Sequence, residues 1–130
     1  MHTEDDTASI VSWHAHVYFD AATRPLAEAL RAGIAERFRV QLGRWHDVPV
    51  GPHAQAMYQV AFDVPQFAAL LPWLALHRGG LSVMVHPNTL QPRADHEQHA
   101  LWLGPPLPLR TAHLAERIAA DQEDPVVPNT

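Results

Sequence analysis

The chain has 130 residues, 47% apolar and 18% charged, which suits one globular domain with a core of its own and argues against a largely disordered chain. It has no cysteine and no lysine, and its formal charge is −5. Disulfides, thiolate metal sites and cysteine nucleophiles are therefore excluded, and a nucleic-acid footprint is not expected.

Residues 1–11 are polar and acidic, read as a mobile tail that includes His2. MHTEDDTASI lacks the basic flank and apolar run of a secretory signal, and no stretch approaches the roughly 20 apolar residues that cross a bilayer. A cytoplasmic protein is expected. The run WHAHVYF at 13–19 is read as the first strand, in which successive side chains face opposite ways. Trp13, Ala15, Val17 and Phe19 then share one face, and His14, His16 and Tyr18 the other.

From Thr23, a plausible N-cap, the period changes to that of a helix, with Leu26, Leu30, Ile34 and Phe38 four residues apart and Pro25 tolerated in the first turn. Glu28 and Arg31 read as a solvated pair on it. Residues 39–47 (RVQLGRWHD) read as a second strand, VPVGPHA as a loop, and Gln55 to Phe62 as a third strand whose Tyr58, Val60 and Phe62 alternate with Met57, Gln59 and Ala61. Asp63 is expected to cap a second helix carrying Phe67, Leu70, Leu71 and Leu74, kinked or interrupted at Pro72 and ended by Gly79 and Gly80.

LSVMVH at 81–86 reads as a fourth strand closed by Pro87; a polar loop runs through His96, and HALWL at 99–103 reads as a short fifth strand. A short helix at 111–120 and a polar end complete the chain. This order predicts an α+β fold, a ferredoxin-like βαββαβ sandwich with an antiparallel sheet, both helices on one face and an extra C-terminal strand. Its strand order would be 4-1-3-2 with the other face uncovered. The domain is placed at 12–110, with 111–130 as an extension.

Histidine is the compositional anomaly, at ten residues. In the predicted sheet the fourth strand runs antiparallel beside the first, so His86 meets His14 and His16 on the helix-free face. Three imidazoles converging there can close on one metal ion and leave positions open for water, substrate or oxygen. The alternative is a polar, pH-sensitive sheet face, buried at a dimer contact. Asp95, His96 and His99 lie within reach as further ligands or as acid and base groups. His53 belongs to a turn expected at the far end of the sheet, and either curls over the face or enters from a second subunit. His46, His77 and His113 read as ordinary surface or hydrogen-bonded residues, and Met57, Met84 and Trp45 as packing residues. No phosphate loop or nucleophile elbow is present.

Four ordered motifs, HAHVYFD at 14–20, VQLGRWHDVPVGPH at 40–53, RGGLSVMVHPNT at 78–89 and DHEQHALWLG at 95–104, resemble the DOPA 4,5-dioxygenase family. The resemblance implies a small ferredoxin-like protein, a homodimer, with a non-haem iron(II) site that binds a catechol and O2 and cleaves the ring beside the two hydroxyls. Zinc or another divalent ion can fill such a site in a purified sample. The motif histidines are His14, His16, His53, His86, His96 and His99, with His14, His16 and His86 as metal ligands. His53 or His99 is the expected proton acceptor and donor, and Tyr18 a polar neighbour on the same face. A 2-His-1-carboxylate set would instead need Asp95 or Glu97. The chain departs from the family in having Ala54 after GPH, where proline is common. It also has Leu90-Gln91-Pro92-Arg93 where an acidic, glycine-containing loop is common, a difference that bears on the substrate more than on the reaction.

Overall fold

The computed structural model describes residues 6–120 and 126–130, so His2 lies outside the described residues. Five strands, β1 (Ser12–Tyr18), β2 (Gln41–Leu42), β3 (Met57–Phe62), β4 (Val83–Asn88) and β5 (Leu101–Leu103), form one sheet in the order β2-β3-β1-β4-β5. All four pairings are antiparallel. The predicted 4-1-3-2 order is therefore present, with β5 added beside β4. Helices α1 (Arg24–Arg37) and α2 (Phe67–His77) follow β1 and β3.

The alternation in β1 explains why the sheet buries both faces. Ala15, Val17 and Phe19 join Tyr58, Val60, Phe62, Val83 and Val85 in the main core, which Ala27, Leu30 and Ile34 of α1 and Leu70 and Leu74 of α2 complete. Burial of each large apolar side chain contributes about 1.5–3 kcal/mol, so this layer dominates the stability. Tyr58 is the polar exception, and its hydroxyl donates to the Ala27 carbonyl at 3.0 Å. Helix α1 also lies close to Trp73 of α2, because a Cβ at Gly33 would stand 2.8 Å from the indole.

Several local expectations change. The second strand pairs only at Gln41 and Leu42, with one further bridge from His46 to Met57. Between these points three residues of one chain segment pass two of the other, a bulge that breaks the ladder. Thr23 holds the N-cap position, but its hydroxyl serves a reciprocal turn with Asp20. Glu28 pairs with Arg24, whereas Arg31 donates to the Gly43 carbonyl at 2.8 Å and lies over the Trp45 and Tyr58 rings. Asp63 does cap, accepting from the Gln66 amide at 3.1 Å, but it opens a 3₁₀ turn (Val64–Gln66) that leads into α2. The helix continues through Pro72 to His77, one backbone hydrogen bond poorer.

Pro87 does not close β4. It pairs with Trp13 within the strand, which runs on to Asn88. Tyr18 donates its backbone N–H to Ser82, so the even-numbered residues of β1 make the hydrogen-bonded pairs and Pro87 directs its missing N–H away from β1. On that other side β5 has already stopped, since it pairs only with Val83 to Val85. The polar stretch after β4 contains a short helix, α3 (Pro92–Glu97), and residues 111–120 form turns instead of the expected helix.

The face opposite α1 and α2 is covered by the chain's own connections. Every residue of β3 and β4 is buried, as is every residue of β1 but Trp13. A small second core of Tyr18, Met57 and Met84 receives Trp102 from β5 and Val50, Leu107 and Leu109 from the loops. Among the described residues no helix is long and apolar enough to cross a membrane.

Candidate metal centre

The histidine face of β1 is where the coverings part. His14 stands directly opposite His86 in the β1–β4 register, and His16 opposite Gln59 in the β1–β3 register. Because side chains alternate, these groups project from the same side of the sheet. His14, His16 and His86 are 1%, 1% and 2% exposed, and each brings a ring nitrogen within 4.8 Å of the others. Among the described residues they form the one group of this kind. Three imidazoles from two adjacent strands suit a transition ion that keeps positions open for other ligands.

The protons can be assigned from partners that only accept. His86 donates from Nδ1 to the Pro87 carbonyl at 2.9 Å, which leaves a lone pair on Nε2. That Nε2 lies 3.1 Å from Nε2 of His16, so His16 carries its proton there and its Nδ1 is buried without a hydrogen-bond partner. Such an orphan is uncommon in a folded protein, and this one belongs to a histidine of the converging group. His14 makes two contacts, Nε2 with the Val127 carbonyl at 3.1 Å and Nδ1 with the Gln59 side-chain amide at 3.2 Å.

Burial, with the neighbouring imidazoles adding to it, holds His16 and His86 well below the usual histidine range. His14 is pushed down to about 4 by burial, opposed in part by the Val127 carbonyl. All three are neutral near pH 7, the form that binds metals.

The structure brings His53 and His96 to this group. Ring centroids of His53 and His16 are 4.2 Å apart, and those of His96 and His86 are 4.0 Å apart. His53 arrives because its own loop folds over the sheet. Gly51 takes a φ of +57°, where glycine has no steric penalty, and a bridge between His53 and Leu109 ties the loop down. It therefore curls over the face within its own chain. Nδ1 of His53 lies 2.7 Å from the Tyr18 hydroxyl; burial pushes this histidine down to about 3 and the tyrosine up. His96 donates from Nδ1 to the Pro92 carbonyl at 2.7 Å, and burial lowers it as well.

His99 is placed differently. Its side chain is 42% exposed, outside the cavity lining, and pairs with Asp95 at 3.0 Å. Asp95 is buried, but its carboxylate already accepts from the Thr89 amide and hydroxyl as well as from His99. Glu97 turns outward to the Thr111 hydroxyl. The carboxylates hold the α3 loop in place, and the converging donors are imidazoles. The cavity above them measures about 360 Å³, within the size range of small-molecule sites, and Gln59 and Asn129 form part of its wall.

A protein-family model, described as the Dopa 4,5-dioxygenase family, matches residues 13–113. The chain belongs to this family. Dopa 4,5-dioxygenase family relatives include a "DOPA 4,5-dioxygenase" of Amanita muscaria, 36% identical over 117 residues that make up 82% of this chain and 51% of the relative. An "Uncharacterized 21.2 kDa protein" of Botryotinia fuckeliana is 40% identical over 94 residues, 66% of this chain and 50% of that one. The chain thus spans about half the length of the curated relatives it matches. Among solved structures, one of a "putative dioxygenase" from Nostoc punctiforme has the same fold, with a TM-score of 0.81 and 53% identity over 82% of this chain and 92% of that one.

Sequence reading missed Gln59, Asn88 and Asn129 as parts of the site. The alternation of β3 already put Gln59 on the histidine face, so its place was legible although no motif marks it. Asn129 is close only through the tertiary fold, 70 residues from its partner Gln59.

Proposed function

We propose that this family member is an iron(II)-dependent extradiol dioxygenase that opens the ring of DOPA or a related catechol with O2. The observation that carries the reading is the convergence of His14, His16 and His86, neutral and buried, at the floor of a cavity of small-molecule size. The family membership and the name of the Amanita muscaria relative support the substrate class. An iron(II) ion held by the three imidazoles would supply adjacent positions for catechol oxygens and O2 and a path for electrons between them.

The chain's own contribution is orientation and proton handling. His53 and Tyr18 form a pair that can present either sense of proton transfer, because a phenol both donates and accepts. When Nδ1–H of His53 donates to Tyr18, Nε2 offers a lone pair to a catechol hydroxyl. When Tyr18 donates to Nδ1, Nε2 carries a proton to return. Burial disfavours a lasting charge on the imidazole, so a proton taken up is readily given back. His53 and Tyr18 are the catalytic residues of this proposal. His99, exposed and paired with Asp95, is left to position the α3 loop.

Anaerobic loading with iron(II), followed by catechol or DOPA and air, should give oxygen uptake and a yellow ring-cleavage product. No uptake across a catechol panel, with metal bound, would favour the second reading. That reading is a non-enzymatic metal- or ligand-binding module, for which the same cavity and histidines serve. The homodimer and the cytoplasmic location are part of the proposal, and light scattering of the purified chain tests the first.

A further inference from the structure

We propose that segment 126–130 is a strap that locks His14 in the tautomer unable to bind a metal through Nε2, and that metal loading releases it. The inference rests on the metal reading of the three histidines, and it concerns what stands in the way of the ion.

The protons of this contact are fixed by a group that can only donate. The backbone N–H of Asn129 donates to Gln59 Oε1 at 2.8 Å, which fixes the orientation of the Gln59 amide. Gln59 Nε2 is then the end that faces both the Asn129 side-chain oxygen, at 2.8 Å, and His14 Nδ1, at 3.2 Å. It donates to each. His14 Nδ1 is thus an acceptor with no proton, and a neutral imidazole must carry its proton on Nε2. That nitrogen lies 3.1 Å from the Val127 carbonyl, which can only accept. Every donor meets an acceptor, so one arrangement satisfies the whole set.

In this arrangement the Nε2 lone pair of His14 does not exist. His16 and His86 meet through their Nε2 atoms, and in this proposal His14 shares an ion with them through the same nitrogen. To do so it must move its proton to Nδ1, and Gln59 must turn its oxygen there to accept it. The turned amide would point NH2 at the Asn129 N–H, donor against donor. Both anchors of the strap therefore fail together when His14 becomes a ligand. Gly43 makes room for the docked state, since a Cβ there would stand 2.6 Å from the Thr130 carbonyl oxygen.

Two measurements on the full chain test the strap. Asn129→Pro deletes the fixing N–H and the side-chain acceptor. Its Co(II) affinity, read from the visible absorption in an anaerobic titration, should rise roughly tenfold, because a docked strap withholds the competent state. Gly43→Ala should shift it in the same direction. In the unsubstituted chain, Zn(II) should accelerate hydrogen exchange of the Asn129 amide at least tenfold. Equal Co(II) affinity in the parent and Asn129→Pro chains overturns the strap, as does an Asn129 amide equally protected with and without Zn(II). The exchange measurement decides alone where Asn129→Pro does not fold. If neither Co(II) nor Zn(II) binds the parent chain, the metal reading falls and the strap with it.

Discussion

Acidifying the metal-free protein should destabilise it well above the pH at which carboxylates titrate, because its buried histidines are held neutral. Burial lowers His14 to about 4 and His53 to about 3, from 6.5. A histidine with a depressed folded pKa leaves the unfolded chain binding more protons, so stability rises with pH. The contribution is complete above the unfolded value of 6.5 and drains away as pH falls toward the folded values. Between pH 7.5 and 5 each of these two residues loses about 1.5 pH units of linkage, or ~2 kcal/mol, and the pair ~4 kcal/mol. His16 and His86 shift in the same direction and deepen the loss. Domains are typically stable by about 5–15 kcal/mol, so the effect is a large share of the total. Urea unfolding of chelator-treated protein, followed by circular dichroism, measures it. With an m-value of about 2 kcal/mol per molar, the midpoint should fall by roughly 2 M across that range. A midpoint unchanged to within a few tenths molar would refute the claim that these imidazoles are neutral and desolvated in the fold.

Three further outcomes are expected. His16→Ala or His86→Ala should abolish tight metal binding by elemental analysis while the far-ultraviolet spectrum stays native, since both side chains point away from the helix-packed core; unchanged metal content would count against the ligand set. Tyr18→Phe should keep the metal and lower catechol turnover by ~10-fold or more, because His53 loses the partner that serves either sense of proton transfer; unaltered turnover would remove the pair from the mechanism. Gly33→Val should destabilise by roughly 1–3 kcal/mol in thermal melts, since its Cβ alone would stand 2.8 Å from Trp73; a parental Tm would mean that α1 and α2 separate more easily than their packing implies.

What the sequence made legible was whatever depended on local alternation and on chain topology. WHAHVYF divides its faces by strand geometry alone, and the right-handed crossovers fix which strand ends meet, so the grouping of His14, His16 and His86 followed from two rules. The position of His53 did not. It depends on a loop anchored to Leu109, 56 residues later in sequence, and no periodicity carries that information. The six residues of α3 were too short and too polar to show a helical stripe, and Leu42 to His46 concealed a bulge because a single extra residue leaves composition unchanged. Segment 126–130 carries no pattern. Its role comes from two backbone groups, the Val127 carbonyl and the Asn129 N–H, that every sequence possesses at those positions unless proline intervenes.

The proline in β4 has an effect on how these molecules meet one another. Where β5 ends, the outer margin of β4 would present a row of donors and acceptors to any passing strand, and it would do so next to the histidines. Pro87 deletes the next donor in that row, and α3, which begins at Pro92, packs against β4. A neighbouring chain thus finds no continuous ladder to extend. The same residue that leaves its carbonyl to orient His86 therefore guards the molecule against edge-to-edge association beside the histidines.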